Sequence, residues 1–437
     1  MQKMQPFKRV TDDEIDYCRY GLYRALLTLV HHQLRDHDNN DLLKRTRSIF
    51  SFQLKYSFFV LKSELIHFKF LKILELRHKE IDNFSVQILR LIWLRYLSLF
   101  SYENLDIPPE ICKLWNLQTF IIQGPRRSVT FPEEIWGLMQ LRHLKLPKFY
   151  LPNPPSVSAD KGIHMGFSNI QTISYLSPRC CKKEVIMGIQ NVKKLGISGY
   201  ESPSNGLLNI LVHLQQLETL SLTYCFGRLL PASAKAFPAM LKKLKLDRTG
   251  LSWSFLDIIA EFPNLEVLKL MDYASFGTEW YPNVRGFTQL KLFLIEDNDV
   301  KYWKATHDNF PVLEHLVLKK FHNLKEIPVE FAEIYTLQLI ELARCLPDLG
   351  DSAVRIQQEQ QDLGNNPVDV RISDPLARSH HNDDDEFDDD DDEDEDDDNE
   401  DFDVDAAERM LLQSPHHNDD DDDTEDSDAD AAEDDDN

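Results

Sequence analysis

The sequence predicts an α/β solenoid, in which a parallel sheet lines the concave face and short helices or turns form the convex face. The hexapeptide from Leu265 to Leu270 is apolar at positions one, four and six, and this pattern recurs at a mean spacing of about 24 residues. Because alternate residues of a strand face opposite sides, Leu268 and Leu270 are predicted to point inward and Lys269 outward. A single copy cannot bury its apolar side, so the copies must stack. We interpret them as leucine-rich repeats, which begin at Leu71, Leu94, Leu117, Leu141, Ile170, Val192, Leu217, Leu241, Leu265, Leu290, Leu313 and Leu337.

Charge divides the chain into a folded body and an acidic tail. Residues 382–437 hold 33 acidic residues and one arginine, whereas the net charge of all 437 residues is −26. A segment so charged and so poor in apolar residues cannot bury a core, and we predict that it is disordered. The predicted organisation is a helix and linker at 1–46, a leucine-rich repeat domain at 47–345, a cap and linker at 346–381 and the tail at 382–437.

The N-terminal segment has the pattern of an amphipathic helix. Residues 11–14 have the spacing of a capping box, and apolar residues follow at steps of three and four from Ile15 to Leu29. We expect this helix to pack on the first repeats or on an upstream domain. Residues 47–52 are interpreted as an atypical first repeat, in which Phe50 aligns with Leu74 and Phe52 with Leu76.

The segments between strands carry their own signals. Prolines at 108, 132 and 328 are predicted to start short convex turns, because proline presets φ and needs no N–H partner there. Cys225, Asn298 and Cys345 each lie eight residues after a repeat start, where a polar side chain is expected to hydrogen-bond the turn backbone. Residues 147–166 are predicted to be an exposed loop. The repeat pattern ends after Cys345, and residues 351–363 are predicted to form a polar helix that covers the last repeat.

No motif for catalysis is present in the sequence. It lacks a phosphate-binding loop, a His-Glu-x-x-His pair, a nucleophile elbow and paired metal-binding cysteines, so we expect no enzymatic activity, no cofactor and no metal. The adjacent Cys180 and Cys181 are interpreted as ordinary thiols. Six cysteines without framework spacing, no signal peptide and no long apolar run favour a cytoplasmic location, with the nucleus as an alternative.

The strand residues that point away from the core are the candidate binding surface, since solenoids use this face for partners. Exposed apolar residues on it, expected at Tyr96, Ile121, Leu292 and Leu294, favour protein binding over a merely solvated face. Its lysines favour an acidic protein segment over nucleic acid, because no aromatic and basic interleaving accompanies them. The predicted partner-binding residues are Tyr96, Phe100, His143, Lys145, Lys243, Lys245, Lys269, Leu292, Leu294 and Lys319.

The body of the chain resembles the repeat region of plant intracellular nucleotide-binding leucine-rich-repeat receptors of the late blight resistance class. The resemblance covers roughly residues 7–373, through the segments at 10–20, 47–52, 172–176 and 351–356 and the Pro-Glu-Ile turns. It implies an immune receptor of plant defence whose repeats sense a pathogen effector and restrain a nucleotide-binding switch. The sequence has no Walker lysine and no Met-His-Asp motif, so it lacks that switch. The acidic tail departs from the family pattern.

The acidic tail supports an alternative function. In outline it resembles the acidic leucine-rich nuclear phosphoproteins, which implies an adaptor that binds histones or other basic proteins. An upstream phosphate-binding loop in the same reading frame would favour the receptor, and salt-sensitive histone binding through the tail would favour the adaptor.

Overall fold

The computed structural model describes residues 24–27, 46–51, 65, 68–80, 84–124, 128–155, 166–200, 208–226, 229–283 and 286–375. The acidic tail and most of the predicted N-terminal helix lie outside these residues. The strands are β1 (Arg24–Leu27), β2 (Ser48–Ser51), β3 (Ile73–Glu80), β4 (Tyr96–Phe100), β5 (Leu105–Asp106), β6 (Thr119–Gln123), β7 (Val129–Thr130), β8 (His143–Tyr150), β9 (Thr172–Leu176), β10 (Lys194–Ser198), β11 (Thr219–Thr223), β12 (Lys243–Asp247), β13 (Leu251–Ser252), β14 (Val267–Met271), β15 (Ser275–Phe276), β16 (Glu279–Trp280), β17 (Leu292–Glu296), β18 (Tyr302–Trp303), β19 (His315–Lys319), β20 (Leu339–Ala343) and β21 (Asp369–Ser373). The helices are α1 (Lys183–Gly188), α2 (Leu256–Ala260) and α3 (Pro347–Asp362).

The repeat strands join in one parallel sheet, which has 17 strands within the described residues. One strand from each repeat pairs with the strand of the next, in the order β1, β2, β3, β4, β6, β8, β9, β10, β11, β12, β14, β17, β19, β20 and β21. Short convex pairs, β13 with β15 and β16 with β18, form sheets of their own. The predicted solenoid, with its parallel sheet and few short helices, is confirmed.

The core is the inward face of this sheet. Every predicted repeat start from Leu71 to Leu337 is buried, and Leu268 and Leu270 are both 0% exposed. The register aligns Leu244 with Leu268 and Leu268 with Phe293, so one apolar column runs from repeat to repeat. Because each repeat completes the core of its neighbours, the inward and outward assignment of the repeat pattern is confirmed.

Short turns form on the convex side at the positions predicted from the prolines. Short 3-10 helices run over Pro109–Lys113, Glu133–Gly137 and Val329–Glu333, and the latter two follow directly after Pro132 and Pro328. Between β12 and β19 the convex core is aromatic instead. Trp280 stacks between Trp253 and Trp303, with ring centroids 5.0 and 5.2 Å away.

The N-terminal strands differ from the sequence predictions. Residues 24–27 form β1, where the sequence pattern predicted helix, and β1 pairs in parallel with β2. A sheet edge offers unpaired backbone groups, which favour an added strand over a local helix. The alignment of Phe50 with Leu74 is wrong by one residue, because Ile49 pairs with Leu74 and Phe50 with Glu75. With a side-chain period of two, this shift places Ile49 in the inward column, at 0% exposure.

Two later segments also differ. Residues 147–150 belong to β8 rather than to an exposed loop, and Phe149 is buried against β7 and β9. At the other end, α3 forms where a helix was predicted, but the sheet continues beyond it. β21 pairs with β20 in full register, so α3 connects two repeat strands. Among the described residues, no helix is long and apolar enough to span a membrane.

Candidate recognition surface

The candidate surface, termed here the concave face, consists of the first, third and fifth residues of the main repeat strands. Strand register lines up each of these positions in ladders across the repeats. The first-position ladder runs His143, Thr172, Lys194, Thr219, Lys243, Val267, Leu292, His315 and Leu339. The third-position ladder runs Lys145, Ser174, Gly196, Ser221, Lys245, Lys269, Leu294, Val317 and Glu341, with Gly196 placed against Ser174 by the Cβ contact it would make.

At the N-terminal end of this face, the prediction of exposed aromatic and apolar residues is wrong. Tyr96 is 0% exposed and Ile121 only 3%, and Ser98 and Thr119 beside them are buried as well. Strand register fixes which face a side chain points to, but not what packs on that face. Phe100 is half-buried, and its ring meets Tyr102 edge-on with 4.8 Å between centroids.

The middle of the concave face is basic. We call it the basic strip: His143 and Lys145 on β8, Lys194 on β10, Lys243 and Lys245 on β12, and Lys269 on β14. Between the charged strands lie small residues, namely Thr172 and Ser174 on β9 and Thr219 and Ser221 on β11. Sequence reasoning found five of the six residues and missed Lys194, although it occupies the same strand position as Lys243.

Electrostatics around His143 reflect this positive charge. Burial lowers the pKa of His143 from 6.5 to about 4, and the charges of Lys145, Arg142 and Lys194 act in the same direction. His143 therefore stays neutral at physiological pH. The strip carries its charge on lysines alone.

The C-terminal part of the concave face is apolar in the centre. We call it the apolar segment: Leu292 and Leu294 on β17, Val317 on β19 and Leu339 on β20. Both β17 leucines and Leu339 are partly exposed, whereas Val317 is 8% exposed. Leu292 and Leu294, predicted to be exposed, are thus only partly exposed.

Ion pairs border the apolar segment. Lys320 Nζ lies 3.1 Å from Glu296 Oε1, and Lys319 Nζ lies 4.0 Å from Glu341 Oε1. Burial lowers the pKa of Lys320, but the hydrogen bond and charge of Glu296, together with the charges of Asp272 and Asp297, raise it, and the net direction is upward. Lys319, predicted as part of a basic cluster, thus has a carboxylate beside it, as Lys245 of the basic strip does, and differs from Lys194, Lys243 and Lys269.

A row of left-handed residues follows the strands, and sequence reasoning did not find it. Each residue has positive φ and donates its backbone N–H to a carbonyl of the next repeat, with N···O distances between 2.9 and 3.2 Å. We call this row the left-handed rim: Tyr224, Arg248, Asp272, Asp297, Lys320 and Arg344. Non-glycine residues rarely adopt this conformation, so the residue types do not predict it. The only signal in the sequence is the regular recurrence of this position, which directly follows each five-residue strand.

Charged side chains of both signs lie along the rim, in the order Arg248, Asp272, Asp297, Lys320 and Arg344. Arg248 Nη2 lies 3.0 Å from Asp272 Oδ2, and its guanidinium stands 5.4 Å from the centroid of the Tyr224 ring. The pKa of Asp297 is raised, first by burial and then by the like charge of Asp272. The rim therefore places polar and charged side chains along one border of the concave face.

The turn positions singled out in the sequence hold the backbone as predicted. Asn298 Oδ1 accepts the N–H of Ser275 at 2.9 Å, and its Nδ2 donates to Glu296 O at 2.6 Å. The thiols of Cys225 and Cys345 donate to Ile197 O and Leu318 O at 3.7 and 3.3 Å. Within the described part of the chain, no group of three His, Cys, Asp or Glu residues is placed to hold a metal ion.

The repeat region of the chain is similar in sequence to known proteins. A family model described as a leucine-rich repeat region matches residues 45–249. A late blight resistance protein homolog of Solanum demissum is 33% identical over 315 residues, which are 68% of this chain and 23% of that protein. A second homolog of the same species is 32% identical over 321 residues, 70% of this chain and 40% of that protein. The chain thus spans well under half the length of these relatives.

Likeness to solved structures is limited to fold. A leucine-rich repeat protein of Leptospira interrogans matches 76% of this chain and 91% of its own, with 18% identity and a TM-score of 0.44. The family match and the relatives point to a non-enzymatic recognition domain, as the missing catalytic motifs predicted.

Proposed function

Because the chain belongs, through its repeat region, to the leucine-rich repeat proteins of plant disease resistance, we propose that it senses a pathogen effector or restrains a nucleotide-binding switch. The chain itself carries the recognition part. The nucleotide-binding domain of a receptor and an effector are its proposed partners, and the cytoplasm is its proposed location, with the nucleus as an alternative.

The apolar segment carries this proposal. On the concave face, strand register places Leu294 between Lys269 on β14 and Val317 on β19, and Leu292 lies in the same strand. Both leucines are partly exposed and therefore accessible to a partner. An accessible apolar centre bordered by ion pairs is typical of a protein interface, in which the centre is desolvated on binding and the periphery is polar. Repeat solenoids bind partners on this face.

The partner assay uses the Solanum demissum homolog that is 33% identical to this chain. The test partner is the part of that homolog that lies outside the region matched to this chain. This fragment is purified and added in trans. We expect it to bind the chain and to lose at least about tenfold in affinity with Leu292→Glu/Leu294→Glu, because two charges enter the desolvated centre. A matched control is Lys301→Glu/Lys325→Glu, which changes two exposed residues outside the main strands. A second arm replaces the homolog fragment with secreted proteins of a late blight pathogen.

The outcomes separate the alternatives. Absence of binding in both arms, or equal binding by the leucine variant and wild type, would contradict the proposal. Histone binding that is salt-sensitive and requires residues 382–437 would instead favour the adaptor function, since that segment supplies the negative charge.

A further inference from the structure

The basic strip differs in chemistry from the apolar segment beside it. Among the described residues, the first and third positions of β8 to β14 include no aspartate or glutamate. The nearest carboxylate on this face is the fifth-position Asp247, which lies 3.6 Å from Lys245 Nζ. Within the part of the chain that the structure describes, Lys194, Lys243 and Lys269 have no ion-pair partner. Their charges are left for a ligand.

The residues between the lysines are small enough to let a ligand approach the sheet. Ser174 and Ser221 flank Gly196 in the third-position ladder, and Thr172 and Thr219 flank Lys194 in the first. At Gly196 a side chain has no room, because a Cβ there would lie 3.0 Å from the backbone N of Tyr175. The floor of the strip therefore presents the hydroxyl groups of β9 and β11, and these strands alternate with the lysine-bearing strands β8, β10 and β12.

The spacing of the cations fits an extended peptide. Lys194 and Lys243 stand two strands apart on the first-position ladder, which is about 10 Å at the usual strand spacing. Carboxylates three residues apart in an extended segment of polyproline II conformation, with three residues per turn and a rise of about 3.1 Å per residue, lie on one side and are separated by about 9 Å. A nucleic acid would need a stacking platform, and the first and third positions of described strands β8 to β14 hold no aromatic residue other than the half-buried, neutral His143.

We propose that the basic strip binds an extended acidic peptide segment of a partner protein. The ammonium groups of Lys194, Lys243 and Lys269 pair with its carboxylates, and the hydroxyl groups of the floor hydrogen-bond its backbone. This inference rests on the proposed function of the concave face and adds the chemistry of a partner. The apolar segment would then hold a different part of the same partner.

The test measures binding of a fluorescent peptide that has the sequence of residues 388–398, in which every residue is aspartate or glutamate. The assay uses the full chain and also the chain ending at His380, because residues 381–437 have the chemistry of the probe, and residues 1–380 form a compact unit of their own. We expect binding that weakens as salt rises. Lys194→Glu/Lys243→Glu should weaken it about tenfold or more, since two attractions become repulsions.

Two control variants make the result specific. Lys301→Glu/Lys325→Glu alters the net charge equally, away from the strip, and should leave peptide affinity within about twofold. Leu292→Gln/Leu294→Gln removes the apolar surface of the proposed function without placing a charge beside Lys269, the register partner of Leu294, and should retain most of the peptide affinity, so the two proposals can fail separately. Thermal melting of Lys194→Glu/Lys243→Glu should match wild type, because both lysines are exposed.

Three results would overturn the proposal. They are absence of peptide binding by both forms of the chain, equal loss with Lys194→Glu/Lys243→Glu and with Lys301→Glu/Lys325→Glu, and binding of a single-stranded oligonucleotide of equal charge that is as tight as peptide binding.

Discussion

Asn298 accepts the backbone N–H of Ser275 in the preceding turn, 23 residues earlier, at a distance of 2.9 Å. Both residues are buried, so this side chain ties two adjacent repeats together where no strand pairing does. We expect Asn298→Ala to lower the free energy of unfolding by about 1 to 3 kcal/mol, because a buried donor loses its acceptor. Asn264→Ala, which removes an exposed bond to Ala239 O, should cost less. Equal losses in urea denaturation would contradict this role for Asn298.

Leu268 and Lys269 are neighbours on β14 that face opposite sides of the sheet. Leu268 is 0% exposed and shares the core with both adjoining repeats, so Leu268→Ala should destabilise the chain by about 2 to 5 kcal/mol. Lys269→Ala should change stability by less than about 0.5 kcal/mol, because the side chain reaches solvent. Chemical denaturation compares the two, and similar losses would rule out the inward and outward assignment.

Arg344 belongs to the left-handed rim, with φ of 53°. Glycine adopts this conformation without steric cost but loses more freedom on folding, so Arg344→Gly should range from neutral to a gain of about 1 kcal/mol. The same change in the middle of α3, Arg355→Gly, should cost about 1 kcal/mol. Thermal denaturation gives the sign of each change. A larger loss for Arg344→Gly than for Arg355→Gly would contradict the expectation.

His143 makes stability depend on pH. Its pKa falls from 6.5 to about 4 in the folded chain, first through burial and then through Lys145, Arg142 and Lys194. Between these values the unfolded chain binds a proton that the folded chain does not, so stability is lost as pH falls from 6.5 towards 4. His143→Gln should make the decline shallower, by at most about 1.4 kcal/mol per pH unit. Superimposable stability profiles for wild type and variant would refute this contribution.

Cysteine accessibility should divide the described thiols into two classes. Cys112 is exposed, whereas Cys180, Cys181, Cys225 and Cys345 are buried. Burial raises the pKa of Cys225 to about 12 and that of Cys181 well above 9.0, so neither forms a thiolate near neutral pH. Iodoacetamide should label Cys112 in the native chain and all five after unfolding, as read by peptide mass spectrometry. Rapid native labelling of Cys225 would show that its repeat opens.

The sequence alone determined the repeat, its inward positions and its turns, although not the left-handed rim. Inward leucines such as Leu268, convex turns at Pro132 and Pro328, and the turn bonds of Cys225, Asn298 and Cys345 all follow from position within one unit. A local pattern sufficed because stacking identical units gives each position the same neighbours. The fold class needed no further information.

Only the tertiary structure decided what happens on the outward face and at the ends. Tyr96 points outward yet is fully buried, Lys319 and Lys320 meet carboxylates on neighbouring strands, and Lys194 joins a strip with Lys243. These features depend on register between strands and on which side chains adjoin across repeats. At the N-terminal end, the one-residue shift at Ile49 shows the same dependence, because a repeat without two ordinary neighbours takes its register from strand pairing and burial rather than from the repeat pattern.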